Sequence, residues 1–377
     1  MARLKPFRAL RYDARRAGPL ETLVAPPHDV VTPAERSRLL GESPYNVIRL
    51  IQPASPGDAA RTLAEWRADG VLVRDAAPAA WLLEESFTGP DDRGRTRRAL
   101  VARIRLEPYA AGAVLPHERT VPSQKATRLE LLRAVRTKLT PVLLLHEGPP
   151  PPPAPARAPD LAVTFSGVAS RLWRIGEDDD LAGALASVRG RTIIADGHHR
   201  YETALRFHEE QASEETAHVL AALVSRSDPG LVIFPTHRLV AGPVPALNGR
   251  FTVTALAGGA SEGLARLEAL PRNRAAFVLL RPDETLLAQA PRDGDPLAVL
   301  DTAAIAQLGL CPVRFTPSAA EAEDAVRTGR ASAAFLVRAP TISQVEAVAL
   351  AGETMPAKST YFFPKLTSGI LFSPLDE

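Results

Sequence analysis

Hydrophobic positions along the chain fall into short apolar runs and amphipathic stretches, separated by clusters of proline, glycine and aspartate. Residues 191–195 read as a short buried strand around Ile193-Ile194-Ala195, leading through Asp196-Gly197 into a helix. In that helix Tyr201, Ala204, Leu205 and His208 share one face, with Glu202, Arg206 and Glu209 on the other. Asp196 has the side chain of a helix N-cap, and Gly197 permits the sharp turn.

The same reading upstream predicts strands at 23–25 and 47–51, and a helix opened by Thr32 and Pro33. A helix follows at 58–69, offering Ala60, Leu63, Ala64 and Trp66 to a core and closed by Gly70. Residues 81–87 and 97–106 read as an antiparallel hairpin turning at 89–94, with Arg98, Arg103 and Arg105 on exposed faces. A basic helix at 128–138 and a strand at 141–145 come next. Five consecutive prolines, Pro149 to Pro153, make 148–159 an extended loop or linker. Strands at 162–165, 171–175, 218–224 and 231–234 and a helix at 180–188 follow, the strand at 231–234 closing in Pro235-Thr236-His237-Arg238. Further on, strands are expected at 276–280 and 334–337, and helices at 262–270 and 319–328.

These elements suggest an N-terminal α+β region at 1–147, a linker at 148–159 and a core at 160–240. A secondary α+β domain at 241–354 and a C-terminal segment at 355–377 returning to the core complete the division. At 377 residues the chain is long enough for two domains. Its 45% hydrophobic and 23% charged content is that of a soluble globular protein. A net charge of +2 marks no general nucleic-acid binder. The single cysteine, Cys311, excludes a disulfide framework and a cysteine zinc cluster. No secretory leader or bilayer-crossing run is evident, so a cytoplasmic protein is expected.

The candidate chemistry centres on His198-His199-Arg200 in the first turn of the helix. Basic groups there oppose the helix dipole unless an anion sits among them, and a phosphate is the simplest such anion. The alternative is neutral, hydrogen-bonded histidines with Arg200 turned to solvent. His117-Glu118 and Lys125, on loops before a helix, are candidates for base, metal and phosphate roles. His237-Arg238 closes a strand, where side chains can converge. Lys358-Ser359-Thr360, with Lys365, suits either a phosphate contact or an edge strand.

Several of these pieces together resemble a bacterial and archaeal family, domain of unknown function 1015. They are Lys5-Pro6-Phe7-Arg8, Ala25-Pro26-Pro27-His28-Asp29-Val30, Pro44-Tyr45-Asn46-Val47, His117-Glu118-Arg119-Thr120, Asp196-Gly197-His198-His199-Arg200, Pro235-Thr236-His237-Arg238 and Met355-Pro356-Ala357-Lys358. The Asp-Gly-His-His-Arg loop is similar to that of the ParB/sulfiredoxin superfamily, and in particular to Asp-Gly-X-His-Arg of its free serine kinases. The resemblance implies an α+β fold with a ParB/sulfiredoxin-like mixed sheet and an additional smaller α+β domain. It also implies ATP or ADP as the nucleotide, with Mg2+, and a small hydroxylated acceptor such as L-serine.

On that reading Gly197, His198, Arg200, Lys125, His237, Arg238 and Lys358 hold phosphates or the acceptor carboxylate. Glu118 is the candidate base, His199 a catalytic contact, and Asp196 a catalytic group or metal contact. Thr127 stands where the resemblance leads one to expect an acidic residue. Two other readings remain open: a nucleotide-binding regulator without turnover, and a metal-dependent phosphoester hydrolase using His117, His198, His199 and His237. The expected partners are a nucleotide and a small molecule, with no membrane or nucleic acid; homo-oligomer formation is left open.

Overall fold

The computed structural model of the protein describes residues 3–118, 122–247, 249–291, 295–310 and 313–376, with the backbone alone for 122–125. It divides into two compact units. One comprises Met1–Leu115, Thr120–Leu231 and Pro364–Glu377; the other comprises Pro116–Arg119 and Val232–Phe363. The architecture is mixed α+β.

The first unit is built on a nine-stranded mixed sheet. Its strands run in the order Val114–Leu115, Thr192–Asp196, Val142–His146, His218–Ser225, Gly94–Arg105, Ala80–Thr88, Val168–Ile175 and Leu161–Phe165, with Leu4–Lys5 pairing the long strand Gly94–Arg105. The expected hairpin forms, and Trp81 pairs with Val101 in its register. His218–Ser225, buried along its whole length, pairs antiparallel with Gly94–Arg105 and parallel with Val142–His146. Such uninterrupted burial accounts for its apolar run from Val219 to Val224. Helices Leu181–Ser187 and His198–Gln211 supply Leu181, Tyr201 and Ala204 to the core on this sheet.

Helix Pro33–Glu42 starts as expected, its Thr32 hydroxyl accepting from the Glu35 N–H. Helix Pro56–Ala68 likewise begins at Ser55, but it buries Ala59, Leu63 and Trp66 while Ala64 faces solvent. Residues 47–51 are not a strand: Ile48–Ile51 is one buried helical turn. Asn46 explains the difference. Its Oδ1 accepts from the Ile48 N–H at 2.9 Å, and its Nδ2 donates to the Thr22 and Val24 carbonyls. A short apolar run carries no period that separates helix from strand. Nor do residues 23–25 form a strand; a 3-10 turn, Leu20–Thr22, leads into a single bridge between Ala25 and Ser368.

The basic helix both starts and ends earlier than its sequence suggests, so Lys125 lies within it and not on a loop before it. It spans Pro122–Val135, after which Thr137–Lys138 pairs as a short strand with Ser373–Pro374. Arg103 is also buried rather than exposed, its Nε donating to the Ser373 hydroxyl at 2.7 Å. Arg97 and Glu85, opposite each other across the hairpin, form a fully buried ion pair at 2.6 Å.

The second unit carries a six-stranded antiparallel sheet in the order Thr252–Leu256, Thr285–Gln289, Ala276–Leu280, Ala333–Leu336, His237–Val240 and Arg314–Thr316. Alternate residues of Ala276–Leu280 enter two cores. Val278 packs with helices Ala260–Glu268 and Ala319–Arg327, whereas Phe277 and Leu279 pack with Asp301–Ala306. His237-Arg238 therefore begins a strand instead of closing one, since Pro235 separates it from Val232–Phe234.

Buried histidines make the fold sensitive to acid, His146 and His237 among them. His146 Nδ1 accepts from the Gly148 N–H at 3.1 Å, and His237 Nδ1 accepts from Val337 at 3.2 Å. Burial first, and then a neighbouring arginine, push each ring down to about 4 from the ordinary 6.5. Between those values the unfolded chain binds more protons, so stability falls as pH drops from 6.5 towards 4. The loss is on the order of 3 kcal/mol for each ring. Urea unfolding at pH 7 and pH 4.5 should show the midpoint falling; an unchanged midpoint would mean neither ring is held neutral.

Candidate anion-binding site

The strand Thr192–Asp196 reaches the site between a parallel neighbour, Val114–Leu115, and an antiparallel one, Val142–His146. Its pairing slips between Ile194 and Asp196, where the residue opposite advances by only one, from Leu144 to Leu143. Such a bulge re-aims the side chain that follows it. Gly197 then turns the chain at φ 93°, in the left-handed region. A Cβ there would lie 2.9 Å from the Arg200 guanidinium carbon, so glycine also allows Arg200 to fold back over the loop.

Asp196 is not the helix cap. Gly197 holds the N-cap position of helix His198–Gln211, which has no side-chain cap. The Asp196 carboxylate is engaged elsewhere: Oδ2 accepts from Arg200 Nη2 at 2.5 Å and Oδ1 pairs with the Lys365 ammonium. Arg200 also donates through Nη1 to the Pro141 carbonyl. Arg200 is thus turned inward. Burial opposes the Asp196 charge, but Lys365 and Arg200 outweigh it and hold the carboxyl well below the usual range. Burial works against the Lys365 ammonium too, and the Asp196 charge reverses that and raises it. Arg128 lies near enough to Arg200 to feel its charge; burial first, then Arg200, pull its guanidinium down to about 9.

The loop is therefore rich in positive charge. Arg200 and Lys365 share one carboxylate, Arg128 adds a third cation, and an uncapped helix N-terminus faces the same loop. This combination attracts anions, and a phosphate can take donors from the N-terminus and the guanidinium fork together. His198 is buried and His199 half-buried in the first turn, and the His198 charge acts on Asp196.

Glu118, His237, Arg238 and Lys358 belong to the second unit. There His117 is buried, its Nε2 2.9 Å from the Thr360 hydroxyl, and Glu118 forms an isolated bridge to Met355. The buried Arg238 donates to the Thr236 carbonyl at 2.8 Å and, more weakly, to the Lys358 carbonyl at 3.4 Å. Burial lowers it to about 10, opposed by the charges of Glu118 and Asp301. His237 is neutral near pH 7, so Arg238 carries the charge of that pair. Lys358 is exposed, with φ 59°. The Lys125 side chain lies outside the described residues.

Magnesium does not fit at Asp196, because each carboxylate oxygen already faces a cation. Among the described residues no three His, Cys, Asp or Glu side chains gather as metal donors. Nor is any described helix long and apolar enough to cross a membrane. Sequence reasoning offered Lys365, with Lys358, for a phosphate contact or an edge strand, and passed over Arg128. Lys365 lies far from Asp196 along the chain, and no local pattern announces their pairing. The charge of 128–138 was visible, but its orientation was not.

No curated protein sequence matches this chain. Among solved structures, a free serine kinase variant in complex with AMP is 14% identical, with a TM-score of 0.43 over 71% of this chain and 88% of that chain. A conserved hypothetical protein from Pyrococcus furiosus is also 14% identical, with a TM-score of 0.39 over 71% and 91% of the two chains. SbnI with a C-terminal truncation, from Staphylococcus aureus, is 13% identical, with a TM-score of 0.36 over 73% and 87%. Likenesses at this level assign no chemistry. Residues 4–303 match a family model described as a protein of unknown function, DUF1015.

Proposed function

The chain belongs to the DUF1015 family, whose description names no reaction, and from the site itself we propose a nucleotide-dependent phosphotransferase acting on a small hydroxylated metabolite, with L-serine the first candidate. The observation that carries this reading is the loop Asp196–Arg200. Its glycine turn opens an uncapped helix N-terminus beside Arg200, Arg128 and Lys365. Phosphoryl transfer asks for this kind of help: fixed positive charge and alignment, with little covalent work from the protein. The similarity of the loop to Asp-Gly-X-His-Arg of free serine kinases supports the same reading.

In the proposed step the acceptor hydroxyl oxygen forms a bond to the terminal phosphorus as the bridging P–O bond breaks. The electron pair of that bond leaves with the shortened nucleotide, a diphosphate from ATP or a monophosphate from ADP, and the hydroxyl proton passes to a carboxylate. Glu118 remains the candidate for that last role on sequence grounds. ATP or ADP is the preferred nucleotide.

Thermal unfolding in the presence of ATP, ADP, CTP or GTP, each with and without magnesium, tests the proposal. At one hundred times its dissociation constant a ligand stabilises by about 2.7 kcal/mol, enough to raise the midpoint measurably. One nucleotide should give that rise, and with L-serine should yield a phosphorylated product. Glu118→Gln should keep the rise and lose the product. A rise without product from the unaltered protein would favour a nucleotide-binding regulator; no rise with any nucleotide would remove the proposal.

A further inference from the structure

A cavity of about 80 Å³ opens beside Arg200, lined by residues from helices Pro122–Val135 and His198–Gln211 and from the segment that follows the first of them. Arg128, Leu131 and Val135 contribute from one helix and Arg200 and Thr203 from the other, with Lys138 completing the wall. One water needs roughly 10–15 Å³ of such space, so the cavity admits a small organic molecule. Two features set it apart from an ordinary packing gap. The Lys138 ammonium and the Thr203 hydroxyl are both at least nine-tenths buried, and neither has a hydrogen-bond partner among the described residues. Buried polar groups are rarely left so, and an ammonium without a hydrogen-bond acceptor is the most costly kind; the Phe207 ring, 5.9 Å from Lys138 Nζ, gives it only a cation–π contact.

We propose that this cavity binds a small organic acid, its carboxylate held by Lys138 and Thr203 and its short apolar body lying against Leu131 and Val135. A carboxylate supplies what the cavity lacks. It accepts from both orphan donors, and its single charge offsets Lys138 and Arg128, which have no carboxylate partner among the described residues. The apolar wall favours an acid with a hydrocarbon part over inorganic phosphate. Burial, with Arg103 nearby, pushes the Lys138 ammonium down to about 7, and a bound carboxylate should raise it again. The assignment rests on the phosphotransferase reading in one respect only: where the acid also carries a hydroxyl, as L-serine does, that reading makes it the phosphoryl acceptor. Binding of the acid itself needs no nucleotide.

The chain has five lysines, Lys5, Lys125, Lys138, Lys358 and Lys365, so selective 13C labelling of lysine gives a readable spectrum. Lys138→Met identifies the Lys138 signal in the full-length protein. Butyrate, L-serine, inorganic phosphate and ADP are then titrated separately. Butyrate or L-serine should move the Lys138 signal saturably, and Thr203→Val should weaken that binding about tenfold while the protein stays folded. No movement with either carboxylate would overturn the proposal. Movement with phosphate or ADP alone would overturn it as well, by making the cavity part of the phosphate site. Failure of ADP to bind anywhere would count against the phosphotransferase reading and leave the carboxylate titration standing.

Discussion

Asp301→Ala should lower stability by about 3–5 kcal/mol, the usual cost of stripping a partner from a buried ion pair. Both members of the pair are almost fully buried in the second unit. Asp301 Oδ1 accepts from Arg338 Nη2 at 2.6 Å and from the Ala276 N–H at 2.9 Å, and Oδ2 accepts from the Arg338 backbone and Nε. Burial works against the Arg338 charge, but Asp301 holds the guanidinium above its ordinary value. Alanine would leave that cation hydrogen-bonded only to carbonyls, of which the Arg274 oxygen lies at 3.1 Å, with the Glu268 charge acting on it from farther off. It would also orphan the Ala276 N–H at the head of a central strand. Thermal unfolding followed by circular dichroism should show a fall of roughly 10 °C or more. Removing both charges together, as Asp301→Leu with Arg338→Met, should recover much of the loss. A single substitution costing under about 1 kcal/mol would show that the pair does not hold this unit together.

Much of the fold was legible in the sequence where a local pattern determined it. The hairpin around 89–94, the cap at Thr32 and the strand-loop-helix through Asp196 each rest on neighbouring residues. What the sequence hid depended on distant partners. Asn46 turns an apolar run into helix by bonding carbonyls more than twenty positions away. Arg103 is drawn inward by Ser373 and Pro374. At the site, Asp196 looked like a cap because it precedes a helix, yet a bulge and the distant Lys365 redirect its carboxylate. The cavity beside Lys138 was invisible for the same reason. Its two orphan donors become neighbours of one space only when the helices pack.

Arg200→Ala should weaken nucleotide binding by about a hundredfold or more. A hydrogen bond to a charged group contributes roughly 1.5–3 kcal/mol, and a guanidinium fork can make two such bonds to one phosphate. Alanine removes them and also leaves Asp196 with Lys365 as its one remaining ion-pair partner among the described residues, so that more of its negative charge faces the incoming phosphate. A loss of about 2.7 kcal/mol is a factor of about one hundred in the dissociation constant. Arg200→Lys should fall between, since it restores a charge without the planar fork. The variant gives up one hydrogen bond to Pro141 and one to Asp196, so its folding is confirmed first from its own thermal midpoint.

The most direct measurement is a calorimetric titration of the nucleotide selected by thermal shift into the unaltered protein and into folded Arg200→Ala. The account predicts saturable binding to the first, and binding at least about a hundredfold weaker, or none, to the second. Equal affinity for the two proteins would contradict it, because the phosphates would then rest somewhere other than the Gly197–Arg200 turn.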